Sequence, residues 1–230
     1  PAGQQCCGAL HLHNGSAEPG RDLARRNVDA FEAAGVDVVV NNAAGCGAAL
    51  KNYAHILADD PAYADRARAF TDRVRDVNEL LAEGDSAPPL GPVPLRVTYQ
   101  DACHLAHGQG IRRQPRQLLR AIPGLELIEM AGSDTCCGSA GIYNVLEPDL
   151  AEAILDGKVD AIRATGAEAV VVSNPGCLIQ IAYGLRRRGH PEIPVYHPMD
   201  LLARAYRGRP SERMSRPRSA GSVQDRLEAG

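Results

Sequence analysis

The residues that could do chemistry in this 230-residue chain are its seven cysteines: Cys6, Cys7, Cys46, Cys103, Cys136, Cys137 and Cys177. Thiolates bind soft and borderline metals, and iron–sulfur clusters above all. Four of the seven stand in two adjacent pairs, and the total is odd. Adjacent residues sit only ~3.8 Å apart at Cα and rarely bridge each other, because a disulfide needs a wider separation. The spacing therefore argues against a secreted disulfide framework and for metal binding in the cytosol. It lacks the short paired knuckles of zinc fingers and ribbons. It also lacks the C-x2-C-x2-C run of bacterial ferredoxins. Spacing alone leaves three readings: an iron–sulfur cluster, a zinc ion, or buried inert thiols.

The cysteines are arranged in a repeat. Cys6-Cys7-Gly8 recurs as Cys136-Cys137-Gly138, 130 residues later. The apolar run 36–40 followed by Gly45-Cys46 recurs as the run 169–172 followed by Gly176-Cys177, at an offset of 131. Leu80-Leu81-Ala82 resembles Leu201-Leu202-Ala203. Each half thus carries Cys-Cys-Gly and, further on, Gly-Cys. The second half has one more cysteine, Cys103, which lies 33 residues before Cys136. The same spacing counted back from Cys6 falls before residue 1, so the expectation is that the first repeat is truncated at its N-terminal end.

Positioning such loops takes strands and helices in alternation. Residues 96–100 and 125–130 pattern as strands, and 169–173 as a buried β-branched strand. Helices are expected over 115–121, with Pro115 in the first turn, and over 149–165 and 178–188. Residues 174–177 read as a turn. Alternating strands and helices imply parallel βαβ units, which gather ligands at the carboxyl ends of their strands. The expected fold is α/β: two tandem pseudo-repeated lobes with small parallel sheets flanked by helices, and the cysteines in loops at or just beyond the strand ends. The first repeat spans residues 1–90 and the second 91–208. The Pro-rich stretch 87–94 reads as a semi-rigid linker, and the tail 209–230 as disordered by composition.

Composition bounds the rest. Hydrophobic content of 44% supports a packed core, and with aromatics at 4% and no Trp that core must be aliphatic. A net charge of −3 gives no reason to invoke nucleic acid. No apolar run of about 18 residues is present, so no membrane-spanning helix is expected.

The words around the cysteines resemble a known family. CCGALHLHNG at 6–15, NNAAGCGAALKNYAHIL at 41–57, DACHLAHGQGIRRQPRQLLRAIPG at 101–124 and DTCCGSAGIYN at 134–144 are similar to the CCG cysteine-rich domain, in particular as it occurs in glycolate oxidase iron–sulfur subunits. Related domains occur in heterodisulfide reductase B-type and lactate-utilisation iron–sulfur proteins. The resemblance implies an iron–sulfur cluster, [4Fe–4S] in type, with Cys103, Cys136, Cys137 and Cys177 as its ligands and Cys6, Cys7 and Cys46 as an incomplete second set. A tetrahedral zinc is the alternative for four thiolates. It also implies electron transfer with FAD-containing glycolate oxidase subunits that oxidise glycolate to glyoxylate. An upstream ferredoxin-like domain, a cytoplasmic location and peripheral contact with the inner membrane through the complex belong to the same expectation. One departure stands out. Reductase-type domains close with Cys-x-x-Cys, whereas here the fourth places hold Ala49 and Gln180. A non-cubane, five-cysteine cluster is therefore not expected.

Other residues receive plainer readings. His11, His13, His104 and His107 lie near cysteine loops and are read as backbone-bonded rather than as ligands, since thiolates already fill the soft-ligand role. His55 is read as packing or surface. Gly108-Gln109-Gly110 lacks the full phosphate-loop pattern. Arg186-Arg187-Arg188 closes a helix, where cations suit the dipole.

Overall fold

The computed structural model describes residues 1–84 and 90–208. In the first half, α1 (Ala9–His13) and α2 (Ala17–Ala33) precede β1 (Val39–Asn41), then α3 (Ala44–Lys51), α4 (Tyr53–Ile56), α5 (Ala64–Thr71), β2 (Val74–Asp76) and α6 (Val77–Glu83). The second half runs β3 (Leu95–Gln100), α7 (Cys103–Ala106), α8 (Arg113–Arg120), β4 (Leu125–Ile128), α9 (Tyr143–Leu146), α10 (Pro148–Ala164), β5 (Ala169–Val172), α11 (Pro175–Arg187), β6 (Val195–Tyr196) and α12 (Pro198–Arg207).

All strand pairing is parallel, as the alternation requires. β1 pairs with β2, and a second sheet runs in the order β4-β3-β5-β6. The run Ala169–Val172 is wholly buried because its strand is central and covered on both faces. Val170 and Val172 enter one core with α10 and α11, while Ala169 and Val171 enter another with α8 and α12. That two-faced burial explains an unbroken apolar run where a half-exposed strand would alternate. A third core lies in the first half, between Val28 of α2, Val39, Tyr53 and Phe70; with Tyr99 buried in the second half, the cores are not purely aliphatic as composition suggested, because the few aromatics are placed inside.

The repeat is visible in the elements. Helices α2 and α10 both have 17 residues and start 131 apart, and α3 and α11 also start 131 apart. Helices α6 and α12 start 121 apart, since α4 and α5 lengthen the first half before β2. Both α6 and α12 open on a capping box, formed by Asp76 with Glu79 and by His197 with Asp200.

The start of one helix and part of the linker reading need adjustment. Helix α11 begins at Pro175, not at 178: Asn174 is its extended N-cap residue and Pro175 its first helical residue. Pro suits that position because its missing N–H has no helical partner there anyway. The linker reading of 87–94 lies outside the described residues up to 89. From 90 onward the chain is packed rather than a free spacer: Gly91 N donates to Ala205 O at 2.8 Å and Val93 N to Pro123 O at 2.8 Å. The tail reading, 209–230, lies wholly outside the described residues. Among the described residues no helix is long and apolar enough to cross a membrane.

Candidate metal centre

Each half builds the same support for its vicinal cysteines. The Cys-Cys-Gly turn lies directly on a long helix, α2 in the first half and α10 in the second. Gly8 and Gly138 adopt φ of +80° and +89°. A Cβ at Gly8 would stand 3.0 Å from Gly20 O, and one at Gly138 only 2.4 Å from Ala151 O. Glycine is thus required by both conformation and contact. The third sulfur of each repeat comes from the helix that follows the strand: Cys46 and Cys177 are each the third residue of α3 and α11. At a helix N-terminus, free N–H groups and the dipole favour a thiolate.

The second half brings four thiols together. Cys137 and Cys177 are buried, at 2% and 4% exposure, and Cys103 and Cys136 are half-buried. Cys136 accepts from Gly138 N at 3.3 Å, and Cys177 accepts from Asn174 Nδ2 at 3.4 Å. Cys103 neighbours Cys136, Cys136 neighbours Cys137, and Cys137 neighbours Cys177, so each thiol biases the next. Thiol donation from Cys103, then from Cys137, drives Cys136 toward the thiolate. Donation from Cys137 does the same for Cys177. Neighbouring Cys136 and burial push the Cys103 thiol up, and neighbouring Cys136 and Cys177, with burial, push Cys137 up.

The first half brings three together less tightly. Cys6 is exposed, Cys7 is 9% exposed and Cys46 half-buried. The Cys7 thiol donates to Cys46, which raises Cys7 and lowers Cys46 to about 7. Behind them Asn27 Nδ2 donates to Cys6 O at 3.0 Å and to Tyr53 OH at 3.0 Å, and Tyr53 OH donates to Cys7 O at 2.9 Å.

The two sets face one seam. Ala44 N donates to Ser173 O at 3.1 Å and Gly45 N to Asn174 Oδ1 at 3.0 Å. Helices α3 and α11 therefore start side by side. Gln109 Nε2 reaches across to Ala44 O at 3.0 Å, and the rings of His13 and His104 lie 5.2 Å apart. His104 Nδ1 is 3.7 Å from the Cys103 sulfur, so its partner is a thiol and not the backbone expected. Burial, then His13, lowers its pKa. His107 Nε2 lies 3.3 Å from Asp134 O, in line with a backbone-bonded loop residue. Gln180 is buried and accepts from Asn144 Nδ2 at 3.0 Å, pinning α9 to α11.

The chemistry of this donor set, thiols alone, suits an iron–sulfur cluster. All seven cysteines are free. Among the described residues no group of three or more His, Cys, Asp or Glu side chains stands close enough to hold a metal ion as it is. In an iron–sulfur cluster each thiolate binds a different iron, so the sulfurs need not meet at one point. Backbone and amide N–H groups aimed at Cys136 and Cys177 suit sulfur ligands of an anionic cluster.

Several residues of the site were invisible from spacing. Asn174 reads as turn chemistry, yet its side chain bonds a cysteine sulfur and the other half of the molecule. Asn27 and Lys158 are both buried, at 1% and 2% exposure, on the helices that carry the two Cys-Cys-Gly turns. The signal that could have found them is the repeat itself, since they occupy the same place in α2 and α10.

The chain is similar to known proteins over most of its length. The family model for the cysteine-rich domain CCG matches residues 1–51 and 97–182. The chain is 46% identical over 208 residues to the probable glycolate oxidase iron–sulfur subunit of Bacillus subtilis, covering 89% of this chain and 47% of that protein. It is 37% identical over 206 residues to a fumarate reductase (CoM/CoB) subunit of Methanothermobacter marburgensis, covering 90% and 40%. It is 30% identical over 203 residues to lactate utilization protein A of an Exiguobacterium species, covering 88% and 82%. The chain spans about half the length of the first two relatives.

Proposed function

Since the chain belongs to the CCG cysteine-rich domain family, we propose that it is an iron–sulfur electron-transfer module of a glycolate-oxidising flavoprotein complex. The observation that carries this reading is the convergence of Cys103, Cys136, Cys137 and Cys177 from three separate segments at one end of the sheet. Four thiolates are the ligand set of a [4Fe–4S] cluster. When bound, such a cluster supplies one-electron transfer. The chain's own residues hold it: the thiolates ligate, Gly138 N and Asn174 Nδ2 donate to ligand sulfurs, and the burial of Cys137 and Cys177 keeps water away. The residues 1–90 form the first repeat, whose Cys6, Cys7 and Cys46 make a three-thiol site, and 91–208 form the second.

The choice of glycolate rests on the similarity to the Bacillus subtilis protein of that name. In that setting FAD-containing partner subunits oxidise glycolate to glyoxylate and this chain accepts the electrons, in the cytoplasm, with peripheral contact to the inner membrane through the complex. Lactate utilisation is the second reading, favoured by the relative that this chain covers most fully of the three. A disulfide-reducing role is disfavoured by Ala49 and Gln180 at the places of the fourth cysteines.

The test is anaerobic isolation followed by iron and acid-labile sulfide analysis. About four irons and four sulfides per chain, lost in Cys137→Ser and kept in Gln180→Ala, are expected. Colourless protein without iron after reconstitution would refute the reading. Loss of the cluster in Gln180→Ala would refute the ligand assignment.

A further inference from the structure

Lys158 departs from the ordinary rule for lysine. It lies on the buried stripe of α10 between Leu155 and Ile162 and is 2% exposed. Lysine is almost never so buried without a partner. Its ammonium donates to one neutral group, Gly132 O at 2.7 Å, and has no carboxylate partner among the described residues. A buried charge left uncompensated is costly. Burial pulls its pKa down, and the groups that push it back up are, in order, Cys137, Asp134, Cys136 and Asp101. Both carboxylates already have a cation of their own, Asp134 in Arg112 at 3.2 Å and Asp101 in Arg116 at 2.7 Å. Cys137 packs in the same core cluster as Leu155, Val159 and Ile162, the neighbours of Lys158 along α10, so the lysine lies on the side of the cysteine centre, which gathers thiolates when it holds a cluster.

The first half shows that the scaffold does not need this charge. The residue 131 places earlier is Asn27, at the same place on the equivalent helix. It is 1% exposed and neutral, accepting from Gln5 N at 2.8 Å and donating to Cys6 O at 3.0 Å. An amide serves there as the fastener of the cysteine turn. The second half keeps a fastener at that place and adds a positive charge to it.

We propose that Lys158 is the built-in counter-charge of the second cysteine centre and raises its reduction potential. A cluster gains negative charge on reduction, and a fixed cation in a low-dielectric setting favours that state. The inference deepens the proposed function and rests on the same four cysteines holding a cluster.

The experiment is a redox titration of the reconstituted full chain, followed by electron paramagnetic resonance, for wild type, Lys158→Met, Lys158→Gln and Lys158→Arg. Iron and sulfide content are measured alongside. Neutral variants are expected to keep the cluster but shift its reduction equilibrium tenfold or more toward the oxidised form, which is about 59 mV for one electron. Lys158→Arg is expected to restore the wild-type value. Loss of the cluster from both neutral variants with retention in Lys158→Arg would also support a need for charge. A wild-type potential in a loaded neutral variant would overturn the proposal, as would loss of the cluster from all three variants, which would make Lys158 a structural fastener only. A wild type that takes up no iron would instead remove the functional reading itself, and this inference with it.

Discussion

Replacing Gly138 by Ala tests how the cysteine turn is seated on its helix. Gly138 has φ of +89°, a region that costs an L-residue about 1–2 kcal/mol. Its new Cβ would also stand 2.4 Å from Ala151 O and 3.2 Å from Ala151 C, both backbone atoms of α10. A 17-residue helix cannot yield at one carbonyl without moving its buried stripe. Overpacking of that kind costs about 1–3 kcal/mol. The two effects together predict a loss of about 3 kcal/mol. For a chain of this size that lowers Tm by roughly 6–12 °C. Gly8→Ala is the internal control: the same strain applies, but the contact is a gentler 3.0 Å to Gly20 O. Its expected cost is about 1–2 kcal/mol. Thermal and urea unfolding of the metal-free protein measure both. Gly138 N also bonds the Cys136 sulfur, so metal uptake should fall in Gly138→Ala beyond the loss of stability. A Tm within about 2 °C of wild type for Gly138→Ala, or a larger loss for Gly8→Ala, would refute the reasoning.

Two further outcomes follow from charged and titrating groups away from the thiols. Asp101→Asn should cost about 3 kcal/mol in urea unfolding, because Arg116 bonds both its oxygens at 2.7 Å and would keep only the exposed Glu129 as a counter-ion; an effect under about 1 kcal/mol would mean that Glu129 suffices as its partner. His197 Nδ1 accepts from Met199 N at 3.2 Å and burial lowers its pKa, so the unfolded chain binds a proton first. Its cap, worth about 1 kcal/mol, is therefore present above the unfolded value of about 6.5 and is lost as pH falls below it. His197→Asn keeps a cap without the titration and should flatten that part of the stability–pH curve; an unchanged curve would show that the cap does not titrate there.

Much of this arrangement is legible in the residues, and the exceptions share a cause. The recurrence of Cys-Cys-Gly and Gly-Cys predicts which sulfurs travel together, and the run at 169–172 predicts the central strand. Both signals are strong because close backbone approach and two-sided burial leave few acceptable residues. The start of α11 is harder to read, since Asn174-Pro175 suits a turn and a helix N-terminus equally. Strands β2 and β6, of three and two residues, are too short for a periodic pattern to form. Their positions are fixed by pairing with β1 and β5, which is tertiary information. Lys158 is the least legible of all. A lysine in an amphipathic helix reads as solvent-facing, and only the fold shows it turned inward onto Gly132 O.

That inward lysine bears on why two similar cysteine sets sit in one molecule. The seam places Cys46 and Cys177 at matching positions of two helices whose N-termini are joined by bonds from Ala44 and Gly45 to Ser173 and Asn174. The two sets share one plan, to which Cys103 adds a fourth thiol in the second. They differ also in what lies around them. The first set has a neutral Asn27 on its supporting helix and leaves Cys6 exposed; the second has a charged Lys158 at that place and buries Cys137 and Cys177. Burial disfavours added negative charge, whereas a buried cation favours it. The charge at 158 therefore offsets a penalty that burial would otherwise impose on the second set. Exchanging the two residues, as Asn27→Lys and Lys158→Asn, separates these effects: the second set keeps its burial and loses only its cation. Its reduction equilibrium should then move toward the oxidised form by about as much as in Lys158→Met. If the exchange leaves it unmoved, burial and sulfur hydrogen bonds alone set the potential.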